Sequence, residues 1–180
     1  FAFETGSEPE VSDDLTAVFH QLGQLSAQCH AHVERWAPPQ SFERQVWTAE
    51  AILDPDAIWG DWRVASGVTT QVRDVLDRTE TVLRQRLADY GTGPDRYGLI
   101  HADMRLANLL IDGSTTRLID FDDCGFGWFL YDFATGISFM EDHPQVAALK
   151  ASWVEGYRTV RQLSPAEVDE IDTFVMLRRM

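Results

Sequence analysis

The chain has 180 residues, 44% of them apolar and 24% charged, enough material for one hydrophobic core. That composition excludes a disordered chain, a collagen-like repeat and a small disulfide scaffold. Acidic residues number 29 against 15 basic ones, and the formal net charge of −14 suits neither a nucleic acid nor an anionic membrane as a partner.

Residues 1–12 read as a short apolar, strand-like start at Phe1-Ala2-Phe3, followed by a polar linker through Gly6 and Pro9. From Leu15 the apolar residues Leu15, Val18, Leu22, Leu25, Cys29 and Val33 recur at alternating spacings of three and four, predicting an amphipathic helix over about 13–35. Pro38-Pro39 ends it. Ser41 is placed to cap a second helix over 42–53. Residues 54–67 read as a loop, in which Trp59 and Trp62 are either core residues or the lining of a substrate cleft. A long helix follows over 68–89, with Val68, Val72, Val75, Leu76, Leu83 and Leu87 expected on its buried face.

Beyond Gly91-Thr92-Gly93-Pro94 the pattern changes. Tyr97–His101 is a short apolar run. Leu109–Ile111 and Arg117–Ile119 flank Asp112-Gly113-Ser114-Thr115 as a β hairpin, and Gly125 and Gly127 mark another loop. Helices are expected over 130–142 and 144–161. The last begins at Ser164-Pro165-Ala166-Glu167, which has the pattern of a capping box with proline at the first helical position. The fold expected is therefore α+β, mostly helical, with one small hairpin.

Cys29 and Cys124 lie far apart and form no C-x-x-C pair, the usage of a cytoplasmic protein with two reduced thiols. No run approaches the ~18 apolar residues of a membrane span, and the first residues lack a signal-peptide pattern.

The hairpin is bracketed by polar residues that packing does not require. His101-Ala102-Asp103-Met104-Arg105-Leu106-Ala107-Asn108 precedes it, in the form H-x-D-x-x-x-x-N, and Asp120-Phe121-Asp122 follows it. Phosphoryl transfer needs a carboxylate beside the attacking hydroxyl, a divalent metal on the phosphate oxygens and in-line positioning. A loop feeding a tight hairpin sets Asp103 at its near side and Asn108 at the start of the first strand, and the second strand returns Asp120 beside Asn108. A carboxylate and an amide oxygen are hard ligands suited to Mg2+.

From about Leu99 to Phe139 the chain resembles the aminoglycoside phosphotransferase / choline kinase / homoserine-kinase-like family, which has a protein-kinase-like fold. The resemblance implies Asp103 as catalytic base, with Arg105 reaching the γ-phosphate. It implies Asn108 and Asp120 as metal ligands, with Asp122 a further one, and His101 and Asp132 as structural support. It departs from the family pattern at Ala102, where the family has Gly, and at Arg105-Leu106-Ala107, where it often has His-Pro-Gly. Phe1-Ala2-Phe3-Glu4, followed by Gly6, resembles the hinge between the two kinase lobes, implying that Phe3, Glu4 and Thr5 bind the cofactor nucleotide through the backbone.

By that resemblance residues 1–12 are the hinge from an N-terminal lobe outside this chain. Residues 13–180 are then a kinase-like C-terminal lobe, and whether its own C-terminus is cut short stays open. The missing lobe would supply a Gly-rich loop and a lysine. No G-x-G-x-x-G occurs here, and the only lysine, Lys150, lies after the catalytic segment. The activity implied is an ATP- and Mg2+-dependent phosphotransferase acting on a hydroxyl of a small molecule such as an aminoglycoside, an amino alcohol or a homoserine-like compound, with this fragment inactive by itself. The alternatives are a protein Ser/Thr kinase of the same fold, a non-catalytic kinase-like binding module, and a metal-dependent hydrolase built on His101, Asp103, Asp120 and Asp122. The expected partners are a nucleotide, a hydroxyl-bearing substrate and the N-terminal lobe.

Overall fold

The computed structural model describes residues 3–180. The expected hinge residues Phe1 and Ala2 lie outside that range. In chain order the elements are α1 Thr16–Val33, β1 Gln45–Trp47, α2 Ala49–Leu53, α3 Thr70–Tyr90, β2 Tyr97–Ile100, β3 Leu109–Asp112, β4 Thr115–Leu118, β5 Gly125–Trp128, α4 Tyr131–Gly136, α5 Val146–Arg158 and α6 Pro165–Arg179. The fold is mixed α+β and mostly helical, as composition and periodicity predict.

The core gathers α1 and α5 around Phe19, Leu22, Phe133, Trp153 and Tyr157, all fully buried. The two helices cross closely because each presents a glycine. A Cβ on Gly23 would strike the Trp153 carbonyl, and one on Gly156 the His20 carbonyl. This close approach rotates the buried face of α1 away from the apolar stripe. Small and polar residues, Gly23, Ser26, Ala27 and His30, are buried beside Phe19 and Leu22, while Leu25 and Cys29 are only partly covered. Ser26 is satisfied there, donating to the Leu22 carbonyl at 2.8 Å and accepting from Trp153 Nε1 at 3.3 Å.

Two further expectations are corrected. The helix predicted over 42–53 is a strand followed by a shorter helix. Gln45–Trp47 pairs in parallel with β5, and Thr48 rather than Ser41 caps α2, accepting from the Ala51 N–H. The loop predicted at Gly125 and Gly127 is that partner strand, the centre of a sheet ordered β1-β5-β2. Its glycines make the sheet close. A Cβ on Gly125 would lie 2.5 Å from the Gln45 carbonyl oxygen, and one on Gly127 would lie 2.6 Å from Ile100 Cδ1.

α3 buries Leu83, Leu87 and Tyr90, but Val72 and Val75 stay exposed because only its second half packs on α6, where Arg86 Nε donates to Thr173 Oγ1 at 2.7 Å. The helix predicted over 130–142 stops at Gly136, and Phe139 enters the left-handed region at φ 70°. α6 opens with the full capping box on Ser164 and Glu167, a device worth about 1 kcal/mol. The hairpin β3–β4 turns on Gly113-Ser114, two residues tighter than the sequence reading, with Gly113 at φ 60°.

Candidate active site

The loop from β2 to β3 carries His101, Asp103 and Asn108, and its shape is imposed from below by Asp132. This side chain, fully buried near the start of α4, accepts from the Ala102 N–H at 2.8 Å and the His101 N–H at 3.3 Å. Two consecutive amides held by one carboxylate keep Ala102 at φ 64°, a conformation that costs an alanine about 1 kcal/mol and a glycine nothing. Asp132 is itself fixed by His30 Nε2 at 2.9 Å. His30 Nδ1 is 3.0 Å from the Tyr157 hydroxyl, which accepts from Arg161 Nη1 at 3.0 Å, and its ring stacks on Phe129 with centroids 4.3 Å apart. A line of partners thus runs from Arg161 through α5 and α1 to the loop.

His101 faces inward. The Asp103 N–H donates to its Nδ1 at 3.2 Å, so the ring proton is on Nε2, which lies 3.1 Å from the Ile119 carbonyl. Both nitrogens are engaged by protein, and the ring is a brace between the two strands. This withdraws the hydrolase alternative, which needs His101 on a metal. Among the described residues no group of three or more His, Cys, Asp or Glu side chains is arranged to hold a metal ion.

Asp103 is 8% exposed. Its Oδ2 accepts from Asn108 Nδ2 at 2.7 Å and from Arg105 Nε at 3.1 Å. Asn108 Nδ2 also donates to the Asp103 carbonyl at 2.8 Å, so its amide nitrogen is directed at Asp103 and its Oδ1 takes no protein hydrogen bond among the described residues. The Ile119 N–H donates to the Asn108 carbonyl at 3.0 Å, bringing Asp120 alongside. Asp120 is exposed, at φ 62°, and its Oδ1 accepts from the Asp122 N–H at 3.3 Å. Asn108 Oδ1, just before β3, and the Asp120 carboxylate, just after β4, are hard oxygen donors side by side at the open end of the hairpin, a set that fits Mg2+ completed by phosphate and water oxygens. Asp122 is exposed, with its carboxylate unengaged among the described residues and its carbonyl accepting from Arg44 Nη1 at 3.3 Å.

Two clefts open on this cluster. One, of about 710 Å3, is lined by Phe3, Glu4, Arg44, Leu110, Ile119, Asp120, Phe121 and Asp122, so it joins expected nucleotide contacts to expected metal ligands. The segment before α1 is held there by the hairpin. Ser7 bridges Ile111, Thr5 Oγ1 donates to Asp112 Oδ2 at 2.8 Å, and Glu4 pairs with Arg117 at 3.3 Å. The side chain of Thr5 therefore faces the hairpin rather than the cleft. The other cleft, of about 460 Å3, places Arg105 opposite Glu8, Glu10 and Phe139.

Sequence reasoning missed three residues. Arg178 on α6 brings its guanidinium to 3.8 Å from Asp103 Oδ1, and nothing in the sequence signals so distant a neighbour. Tyr131 is fully buried, with a hydroxyl that makes no hydrogen bond of normal geometry among the described residues and lies near the Arg178 charge. His30 was legible only as a histidine on a helix; it is buried, while His32, two residues on, is exposed. Cys29 and Cys124 share a small apolar pocket with His101 and Phe121. Lys150 lies on α5, paired with Asp172 Oδ1 at 2.8 Å. No helix among the described residues is long and apolar enough to cross a membrane.

Known proteins resemble this chain over nearly its whole length. The model of the phosphotransferase enzyme family matches residues 2–165. Amicoumacin kinase of Bacillus subtilis (strain 168) is 24% identical over 185 residues, covering 97% of this chain and 52% of that protein. The structure of a microcompartment-associated aminopropanol kinase superposes with a TM-score of 0.89 at 45% identity, over 98% of this chain and 56% of that one. An amicoumacin kinase solved with AMP-PNP, Ca2+ and Ami shares the fold, with a TM-score of 0.75 at 22% identity over 98% of this chain and 53% of that one. The chain thus spans about half the length of the relatives it matches.

Proposed function

The chain belongs to the phosphotransferase enzyme family, and we propose that the full-length protein moves the γ-phosphate of ATP to the hydroxyl of a small amino alcohol. The observation that carries this reading is the arrangement around Asp103. Its buried carboxylate is held on Oδ2 by Asn108 and Arg105, while among the described residues Asn108 Oδ1 takes no protein hydrogen bond and the exposed Asp120 carboxylate, engaged only by the Asp122 N–H, stands alongside it at the open end of the hairpin.

In this reading Asp103 Oδ1 accepts the hydrogen of the acceptor hydroxyl and orients its oxygen, taking the proton as the new O–P bond forms and ADP departs. Arg105 steadies Asp103 and reaches toward the transferred group. Mg2+ held by Asn108 and Asp120, with Asp122 beside them, would neutralise charge on the phosphate oxygens. Phe3 and Glu4 line the cleft read as the nucleotide site, with the Thr5 backbone read as a further contact, and His101 and Asp132 keep the loop in register. The chain is read as the C-terminal lobe, with residues 1–12 as hinge and the Gly-rich loop and lysine supplied by an N-terminal lobe. In support, the 180 residues contain no such loop, and their single lysine is paired on α5.

The amino-alcohol acceptor rests on the 45% identity to an aminopropanol kinase, and the net charge of −14 favours a cationic substrate. An ATP-consumption screen of the full-length protein tests it. Short amino alcohols are expected to give the highest kcat/KM, ahead of aminoglycosides, homoserine and sugars. Phosphate transfer to protein alone would favour the Ser/Thr kinase reading, and ATP binding without any transfer the non-catalytic module.

A further inference from the structure

Arg178 sits near the end of α6, far in sequence from the catalytic motif. Its side chain is 15% exposed and meets three separate parts of the chain. Nε donates to Ser138 Oγ at 3.2 Å. The guanidinium lies over the Trp59 ring, 5.3 Å from its centroid. Nη2 comes to 3.8 Å from Asp103 Oδ1.

The distances sort these contacts. The Ser138 contact is a hydrogen bond, and the Trp59 contact a cation–π stack. Both fix the guanidinium from outside the loop. The Asp103 contact is an ion pair too long to be a hydrogen bond. Asp103 is therefore held by two hydrogen bonds on Oδ2 and by charge alone on Oδ1, whose lone pairs stay open to a hydroxyl.

The surroundings favour a shaped site over a chance surface pair. Trp59 stacks on Trp47 at 5.7 Å and Trp47 on Tyr131 at 6.3 Å, so an aromatic wall runs from under Arg178 back to α4, next to Asp132. It ends on the buried Tyr131, whose hydroxyl makes no hydrogen bond of normal geometry among the described residues and lies within reach of the Arg178 charge. Ser138 precedes Phe139, one of three non-glycine residues at positive φ among the described residues, the others being Ala102 and Asp120. Unfavourable backbone conformations are thus confined to the segments around Asp103, as at sites whose geometry is tightly constrained.

Resting on the phosphotransferase reading, we propose that Arg178 is a positioning residue that holds the Asp103 carboxylate with Oδ1 presented to the acceptor. α6 and the 54–67 loop then belong to the site, although neither carries a recognisable catalytic motif. The planar fork of arginine suits the task, because one side chain must satisfy a hydroxyl, a ring face and a carboxylate together.

The test uses the full-length protein with Arg178→Met and Arg178→Lys, each in wild-type and Asp103→Asn backgrounds. Arg178→Met is expected to lower kcat by about tenfold or more while the KM for ATP stays within about threefold. Arg178→Lys, which keeps the charge, is expected to recover part of the loss and to preserve the fold by thermal melting. In the Asp103→Asn background Arg178→Met should change residual turnover by less than about twofold, because its effect passes through Asp103. A kcat for Arg178→Met within about twofold of wild type, or an equal loss in both backgrounds, overturns the proposal. A wild-type protein that turns over no acceptor overturns the phosphotransferase reading instead.

Discussion

Replacing Asp132 by alanine tests the physical basis of the site. The carboxylate is fully buried and accepts from three donors: the Ala102 N–H, the His101 N–H and His30 Nε2. Removing it leaves two loop amides and a buried imidazole nitrogen without a partner. Each donor left buried and unpaired costs about 1–3 kcal/mol, so three together cost roughly 3–9 kcal/mol. For a chain of this size each kcal/mol moves the midpoint by about 2–4 °C, so the melting temperature should fall by roughly 10 °C or more. Asp132→Asn keeps the shape and one acceptor, and should lose only about 2 kcal/mol. Thermal melts by circular dichroism give the magnitude, and amide hydrogen exchange gives the location, with protection lost first at His101 and Ala102. A shift below about 3 °C for Asp132→Ala, or unchanged exchange at those two amides, would refute the view that Asp132 shapes the loop.

Ala102 is buried at φ 64°, so Ala102→Gly should stay within about 1 kcal/mol of wild type, as lost strain offsets added chain entropy. Ala102→Val should lose about 2 kcal/mol or more, and equal urea midpoints for the two variants would contradict the assigned backbone. Burial opposes ionisation of Glu80, but hydrogen bonds from Arg84, Trp62 and Arg63 outweigh it and hold the carboxyl below its ordinary 4.5. The stability this gives is complete above that pH and is lost as pH falls through the depressed value. Glu80→Gln should therefore flatten the loss of stability in acid, and an unchanged urea midpoint profile between pH 6 and pH 3 would count against the cluster. Burial, with the charge of Asp132 behind it, pushes the Cys29 thiol up to about 11, and burial raises Cys124 as well. Alkylation at neutral pH should be slow in the folded protein and fast in urea; labelling at the free-cysteine rate without urea would show that the thiols are open.

Local chemistry was the legible part of this sequence. The capping box at Ser164 and the hairpin around Gly113 depend on neighbours a few residues away, and both stand within two residues of where the pattern puts them. The convergence of Asp103, Asn108 and Asp120 was legible too, because the hairpin that joins them is itself local. Non-local packing was hidden. β1 exists only because β5 lies beside it, and β5 reads as loop because its glycines are needed by the close sheet rather than by a turn. The face of α1 turned away from its apolar stripe for the same kind of reason, a close helix crossing that buries Gly23, Ser26 and His30. Arg178 reaches Asp103 from the far end of the chain, and no spacing rule connects them.

The most direct test of phosphoryl transfer through Asp103 is phosphorus NMR of the full-length protein incubated with ATP, Mg2+ and a short amino alcohol, run beside Asp103→Asn. The account predicts a phosphomonoester of the amino alcohol and matching ADP from wild type, with the rate falling by about a hundredfold or more in the variant. The same phosphomonoester at an undiminished rate from Asp103→Asn would contradict it.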